Sequence, residues 1–110
     1  MGTTNGCAAD SVAATYYDSQ DADQFYEQVW GGEDIHIGLY ATPDEAIATA
    51  SDRTVHALLE LADPLPQGGC VVDLGAGYGG ASRRLARWSE RPVHAINISA
   101  VENDRHRRLN

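Results

Sequence analysis

The sequence predicts an α/β fold in which a run of N-terminal helices precedes a βαβα unit whose parallel sheet is incomplete. Three observations carry this. The apolar run Cys70-Val71-Val72 leads into Asp73-Leu74-Gly75-Ala76-Gly77-Tyr78-Gly79-Gly80, a strand followed by a glycine-rich turn that opens a helix. A second apolar run, Val93-His94-Ala95-Ile96-Asn97-Ile98, follows that helix, and strands joined through a helix run parallel with a right-handed crossover. Upstream of both, the apolar spacing is helical except over Glu33 to Tyr40, where apolar residues stand with polar or small ones between them.

Residues 1–9 are small and polar without periodicity, and read as a disordered tail. From Asp10 to Tyr17, the spacing of Val12, Ala13, Tyr16 and Tyr17 places them on one face of a short helix, which Asp18-Ser19-Gln20-Asp21 breaks. A second helix spans about Ala22 to Trp30, where Phe25 with Val29 and Tyr26 with Trp30 are i, i+4 pairs, and Gly31-Gly32 ends it. Glu33 to Tyr40 is too short and glycine-flanked for a helix, and reads as an extended loop lying against another element.

Thr42-Pro43-Asp44-Glu45 then looks like a helix start, with Thr42 as N-cap, Pro43 at the first helical position and Glu45 closing a capping box. This helix runs to about Ala62, and Ile47, Ala50, Val55, Leu58, Leu59 and Ala62 make its apolar stripe. Two prolines and two glycines within residues 63–69 form the linker to the first strand. After the glycine turn a helix extends from about Gly79 to Ser89, with Arg83, Arg84 and Arg87 on its outer side. Ser99-Ala100-Val101-Glu102 is a second capping box and starts a helix that continues past Arg105 and Arg108.

We therefore divide the chain into a tail (1–9), a helical N-terminal segment (10–62), which the resemblance given below makes a cover, and the start of a nucleotide-type domain (63–110). Two strands are too few for a parallel sheet covered on both faces, so the sequence reads as the first part of a larger domain. In a chain of 110 residues, Lys+Arg of 8 against Asp+Glu of 16 gives a formal charge of -8, which argues against a nucleic-acid partner. No run of about 18 apolar residues is present and the N-terminus lacks a secretory signature, so we expect a cytoplasmic protein with no membrane partner. Cys7 and Cys70 make neither a disulfide framework nor a metal cluster, and read as unpaired thiols.

The pattern G-x-G-x-x-G at Gly75 to Gly80 is weak in isolation and gains weight from its strand-turn-helix context. A Walker loop needs a lysine that this turn lacks. An NAD-binding turn follows a wholly apolar strand end, whereas Asp73 stands two residues before Gly75, badly placed beside a pyrophosphate. A carboxylate there suits an amino group, a nearby sulfonium or a ribose, which together describe S-adenosylmethionine. Asn97, at the end of the second strand, stands where a carboxylate commonly holds the ribose diol, and its amide can still bond one. Blander readings stay open: a tight βα connection, Asp73 as a helix-capping acid, Asn97 as a turn former. Likewise Tyr26, Trp30 and Tyr40 fit core aromatics, His36 a structural histidine, and Arg105, Arg107 and Arg108 a solvated face.

The Asp73 to Gly80 stretch resembles motif I of the class I S-adenosylmethionine-dependent methyltransferases, which have a Rossmann-like fold. Three further stretches, Ala22 to Tyr40 with its Trp30-Gly31-Gly32-Glu33-Asp34-Ile35-His36 core, Ala95 to Ser99, and Val101 to Arg105, narrow the resemblance to sarcosine/dimethylglycine N-methyltransferases. The likeness covers about residues 10–110. Ala100 departs from it, standing where the family usually shows Glu.

The resemblance implies a small-molecule amine substrate, sarcosine or dimethylglycine, methylated toward the osmoprotectant glycine betaine. It implies that Asp73, Gly75, Ala76 and Gly77 border the methionine part of the cofactor, and Asn97 with Ile98 the ribose and adenine side. It also implies that Tyr26, Trp30 and His36 lie in a segment covering the cofactor, with His36 the one candidate for a part in the chemistry. Tocopherol-type methyltransferases share a similar Trp-Gly-Glu-x-Ile-His-x-Gly pattern, so the acceptor stays open between these classes. A non-catalytic fragment or interaction module is the alternative to an enzyme.

Overall fold

The structure, a computed structural model, describes residues 8–31 and 33–110. Helices α1 (Ala8–Tyr17), α2 (Gln20–Trp30) and α3 (Ile47–Ala62) precede β1 (Val71–Leu74), α4 (Gly80–Ser89), β2 (Val93–Ile96) and α5 (Ala100–Leu109). The expected order of elements is met throughout. Helix α1 takes in Ala8 and Ala9 from the expected tail, whose residues 1–7, with Cys7, lie outside the described residues, as does Gly32 of the expected helix stop.

Local chemistry explains most of the boundaries. Ser19, expected to lie in a break, caps α2: its hydroxyl accepts the Ala22 N–H at 3.2 Å, with Asp21 and Asp23 in the positive first turn. Gly31 closes that helix at φ 90°, and its N–H returns to the Tyr26 carbonyl. Ser99 caps α5 by accepting the Glu102 N–H at 3.1 Å. The other half of that capping box does not form, because the Glu102 carboxylate accepts from the Asn97 amide instead.

The start of α3 differs from expectation. Thr42 to Glu45 is a separate turn, closed by the Glu45 N–H on the Thr42 carbonyl at 3.3 Å, and the helix begins at Ile47 behind an uncapped Ala46. The reason is a competing partner. The Glu45 carboxylate takes Arg53 through both oxygens and the Ala41 N–H at 3.0 Å, so none of it is left for a cap.

β1 and β2 pair in parallel, Val71 opposite Val93 through Leu74 opposite Ile96, as the βαβ reading requires. They form a two-stranded sheet on which Val72, Leu74 and Ile96 are more than half exposed. The buried residues sit elsewhere: Ala22, Ala50, Val55, Leu59 and Tyr78, with Asp34, Ser51, Ser82, Ser99 and Glu102. The core lies where the N-terminal helices meet the glycine turn and α5. Correspondingly the stripe of α3 is narrower than its spacing suggests; Ala50, Val55 and Leu59 are buried, whereas Leu58 and Ala62 are exposed.

The Glu33 to Tyr40 segment is extended, as expected, and the element it lies on is α3. Leu39 N–H donates to the Ala50 carbonyl at 3.0 Å, Thr54 Oγ1 to the Ile37 carbonyl at 3.0 Å and Ser51 Oγ to the His36 carbonyl at 3.4 Å. Gly38 makes the contact possible, since a Cβ there would stand 2.5 Å from the Ala50 Cβ. At its other end this strap accepts the Gly80 N–H on the Glu33 carbonyl at 3.1 Å, so it ties α3 to the start of α4.

Candidate functional site

The glycine turn leaves β1 and folds back on β2. The N–H groups of Gly75 and Ala76 both donate to the Ile96 carbonyl, at 2.8 and 3.1 Å, which brings the turn beside Asn97 and Ile98. Asp73, Gly75, Ala76, Gly77, Asn97 and Ile98 thus gather at the carboxyl ends of the two parallel strands, where ligands bind in open α/β sheets.

The glycines of the turn divide into two kinds. Gly75, at φ 76°, has nothing within 4 Å of where its Cβ would be, so its backbone is open to a ligand. A Cβ on Gly77 would meet Ile35 Cδ1 at 3.0 Å; one on Gly79 would overlap the His106 ring, and one on Gly80 would overlap the Asp34 carboxylate and the Glu33 carbonyl. The later glycines therefore admit the strap and α5.

The polar residues flanking the opening are held by the protein. Asp73 accepts the Ser82 hydroxyl at 2.6 Å, which orients the carboxylate toward α4 while leaving it half-buried. Asn97 is half-buried; its Nδ2 donates to Glu102 Oε2 at 2.5 Å and its carbonyl accepts Asn103 Nδ2 at 3.1 Å. Ile98 is 52% exposed, placing an apolar surface at the rim. Glu102 is nearly fully buried, and burial pushes its carboxyl above the usual carboxylate range; the Asn97 bond opposes this, and the nearby Asp18 and Asp23 add to it.

The residues expected to cover a cofactor fall into two groups. Tyr26 packs its ring against Phe25 at 5.4 Å and Trp30 at 5.8 Å, and burial, followed by Tyr16, pushes its hydroxyl up to about 12. Trp30 donates its indole N–H to the His36 carbonyl at 2.8 Å, and His36 Nε2 lies 3.5 Å from Asp34 Oδ1. Trp30 and His36 are therefore tied to the strap, which reaches the turn through Ile35 against Gly77. Tyr40 is 47% exposed and belongs to neither the core nor the opening.

Three expectations about arginines need correction. Arg84 does not lie on the outer side of α4: it donates to both oxygens of the buried Asp34, at 3.1 and 3.0 Å, and pairs with Asp52. Arg83 turns inward to the Tyr78 carbonyl at 2.9 Å. Arg105 is not part of a solvated face; its guanidinium lies 4.9 Å from the Tyr78 ring centroid and pairs with Asp23 and Glu27. For Arg84 and Arg105 a carboxylate from a distant part of the chain reaches the guanidinium, and for Arg83 a carbonyl five residues back does so; each lowers the cost of burial. Arg87, Arg107 and Arg108 are exposed as expected.

Sequence reasoning passed over Tyr78 and Glu102. Tyr78 is 1% exposed, and the signal was available: an aromatic residue inside a glycine run has no role in turning the chain. Glu102 was hidden by its fit to a capping box. Among the described residues there is no group of three or more His, Cys, Asp or Glu that can hold a metal ion, and no helix long and apolar enough to cross a membrane.

No family model matches the chain. It is 99% identical over all 110 residues to a dimethylglycine N-methyltransferase of Parasynechococcus marenigrum (strain WH8102), covering 39% of that protein. It is 49% identical over 107 residues, 97% of its length, to a sarcosine/dimethylglycine N-methyltransferase of Aphanothece halophytica, again covering 39% of the relative. A crystal structure from Galdieria sulphuraria, assigned as a sarcosine dimethylglycine methyltransferase, superposes with a TM-score of 0.68 at 43% identity, over 83% of this chain and 36% of that one. The chain spans about two fifths of the curated relatives it matches. The resemblance read from the sequence holds, and the fold is part of the class I methyltransferase fold.

Proposed function

We propose that this chain, a stretch of the class I S-adenosylmethionine-dependent methyltransferase fold, is the cofactor-holding part of an N-methyltransferase acting on sarcosine and dimethylglycine toward glycine betaine. The observation that supports it best is the open backbone at Gly75, at the carboxyl ends of two parallel strands that also carry Asp73 and lead into Asn97. Residues present here fit the cofactor: a Cβ-free approach for its backbone, a carboxylate for its amino group, an amide for its diol and apolar Ile98 for its base.

In this reading Asp73, Gly75, Ala76 and Gly77 border the methionine part, and Asn97 with Ile98 border the ribose and adenine. Tyr26 and Trp30, on α2, cover the opening. S-adenosylmethionine supplies a methyl group already activated by its sulfonium. The work left to the chain is alignment and exclusion of water, and no residue has to act as a general base. In this reading His36, whose Nε2 lies 3.5 Å from Asp34 Oδ1, shapes the cover and is the candidate to relay a proton. We place the enzyme in the cytoplasm, on its acidic composition and on two cysteines that form no disulfide framework.

The test is a mass-spectrometric assay of the longer protein that contains this chain, supplied with S-adenosylmethionine and, separately, sarcosine, dimethylglycine and unrelated acceptors such as hydroquinones. Methylation of the two amines alone is expected. Methylation of another acceptor instead moves the assignment to a different small-molecule methyltransferase. The 110-residue chain alone should turn over neither amine, because its strands expose apolar faces where a complete site needs a covered sheet.

A further inference from the structure

Tyr78 is the one bulky residue between Gly75 and Gly80, and three elements meet on it. From α2, Asp23 Oδ1 accepts the Tyr78 hydroxyl at 2.9 Å. From α5, the Arg105 guanidinium lies over the ring, and its Nη2 donates to Asp23 Oδ2 at 3.1 Å and Glu27 Oε2 at 2.9 Å. From α4, Arg83 holds the Tyr78 carbonyl. Both Asp23 oxygens are thus engaged, one by the turn and the other by α5. Asp23 and Arg105 are largely buried, whereas Glu27 is exposed at the rim.

Asp23, Tyr26, Glu27 and Trp30 stand at i, i+3, i+4 and i+7 along α2 and therefore share one side of it. A clamp on Asp23 and Glu27 sets the rotation and depth of the same side that carries Tyr26 and Trp30. Tyr78 in turn directly follows Gly77, so whatever settles on the backbone from Gly75 to Gly77 bears on the clamp.

We propose that Asp23, Tyr78 and Arg105 are positioning residues that latch the cover helix α2 to the glycine turn, so that a filled turn holds the cover closed and a closed cover holds the cofactor. This rests on the cofactor reading above. By linkage, the free energy with which the latch favours docked α2 reappears as affinity for a ligand that needs α2 docked. The latch touches no reacting atom, so it acts on retention of the cofactor.

The experiment uses the longer protein that contains this chain, with S-adenosyl-L-homocysteine as the probe. Tyr78→Phe removes one hydroxyl and keeps the ring. Its dissociation rate should rise about tenfold, the scale of one lost hydrogen bond to a charged group, with the association rate changed less than about threefold. Amide exchange should quicken over residues 20–30 and stay unchanged over 71–74. Arg105→Lys, which keeps the charge and loses the fork, should fall between wild type and Tyr78→Phe.

A lower Tm with an unchanged dissociation rate, or exchange that quickens equally in β1, makes these residues scaffold and overturns the latch. If Tyr78→Phe does not fold, Glu27→Gln at the exposed rim decides by the same two readouts, with about a twofold effect expected. Wild type that fails to bind the probe overturns the cofactor reading itself; wild type that binds, with variants that release it no faster, overturns the latch alone.

Discussion

The two ends of the glycine run have the same composition and opposite surroundings. At Gly75 the backbone looks into open space; at Gly79 and Gly80 it is pressed by His106, Asp34 and Glu33. Glycine is required at both ends, for access at one and for close packing at the other. An open backbone and a packed joint between segments are therefore written in one six-residue pattern, and substitution can separate them.

The largest effect is expected at the packed end. Gly80→Ala drives a methyl group into the Asp34 carboxylate and the Glu33 carbonyl, and should lower stability by about 3 kcal/mol in chemical denaturation, the upper range for overpacking. A loss below about 0.5 kcal/mol would show that the strap can move aside and that the joint is loose.

At the open end the same substitution should behave differently. Gly75→Ala meets no atom and carries only the strain of φ 76°, about 1–2 kcal/mol, yet its methyl group occupies the approach to the backbone. Calorimetric titration of the longer protein with S-adenosyl-L-homocysteine should show affinity falling by more than the stability loss. Equal losses would erase the contrast between the two ends. Asp73→Ala sharpens it further: thermal stability changes by the loss of the Ser82 bond, about 1 kcal/mol, while cofactor affinity falls by tenfold or more. Unchanged affinity removes Asp73 from the site.

The smallest effect concerns the buried carboxyl beside Asn97. Because Glu102 titrates above its ordinary range in the folded chain, the unfolded chain releases its proton first as pH rises. Stability is therefore fully present below the ordinary carboxylate value and is lost as pH rises through the folded one. Glu102→Gln keeps an acceptor for Asn97 and removes the charge, so its Tm should exceed that of wild type at neutral pH, with the gain vanishing in acid. A gain that persists at low pH would mean that charge is not the cause.

The residues differ in how readily their roles could be read. Ser99 was legible as a cap because its partner is three residues away, and the parallel pairing of β1 with β2 because a helix joins them. The gathering of Asp73, Gly75 and Asn97 at one sheet end follows from the same βαβ pattern. Thr42 to Glu45 misled because Arg53, eight positions beyond Glu45, competes for the carboxylate that a cap needs. Arg84, Arg105 and Tyr78 were misread or missed because their partners are not neighbours in the sequence: Asp34 is 50 residues from Arg84, and Asp23 is 55 from Tyr78 and 82 from Arg105.

By itself, then, the sequence determined the order of the elements, the parallel strands, the turn between them and the family likeness, since backbone sterics, glycine conformations and helical spacing act over a few residues. Only the tertiary structure decided which glycines face open space and which face protein, that α4 and α5 turn arginines inward, and that α2 is fastened at Tyr78. Those outcomes depend on which distant carboxylate or carbonyl reaches a charge or a bare backbone first, and that is set when the segments pack together.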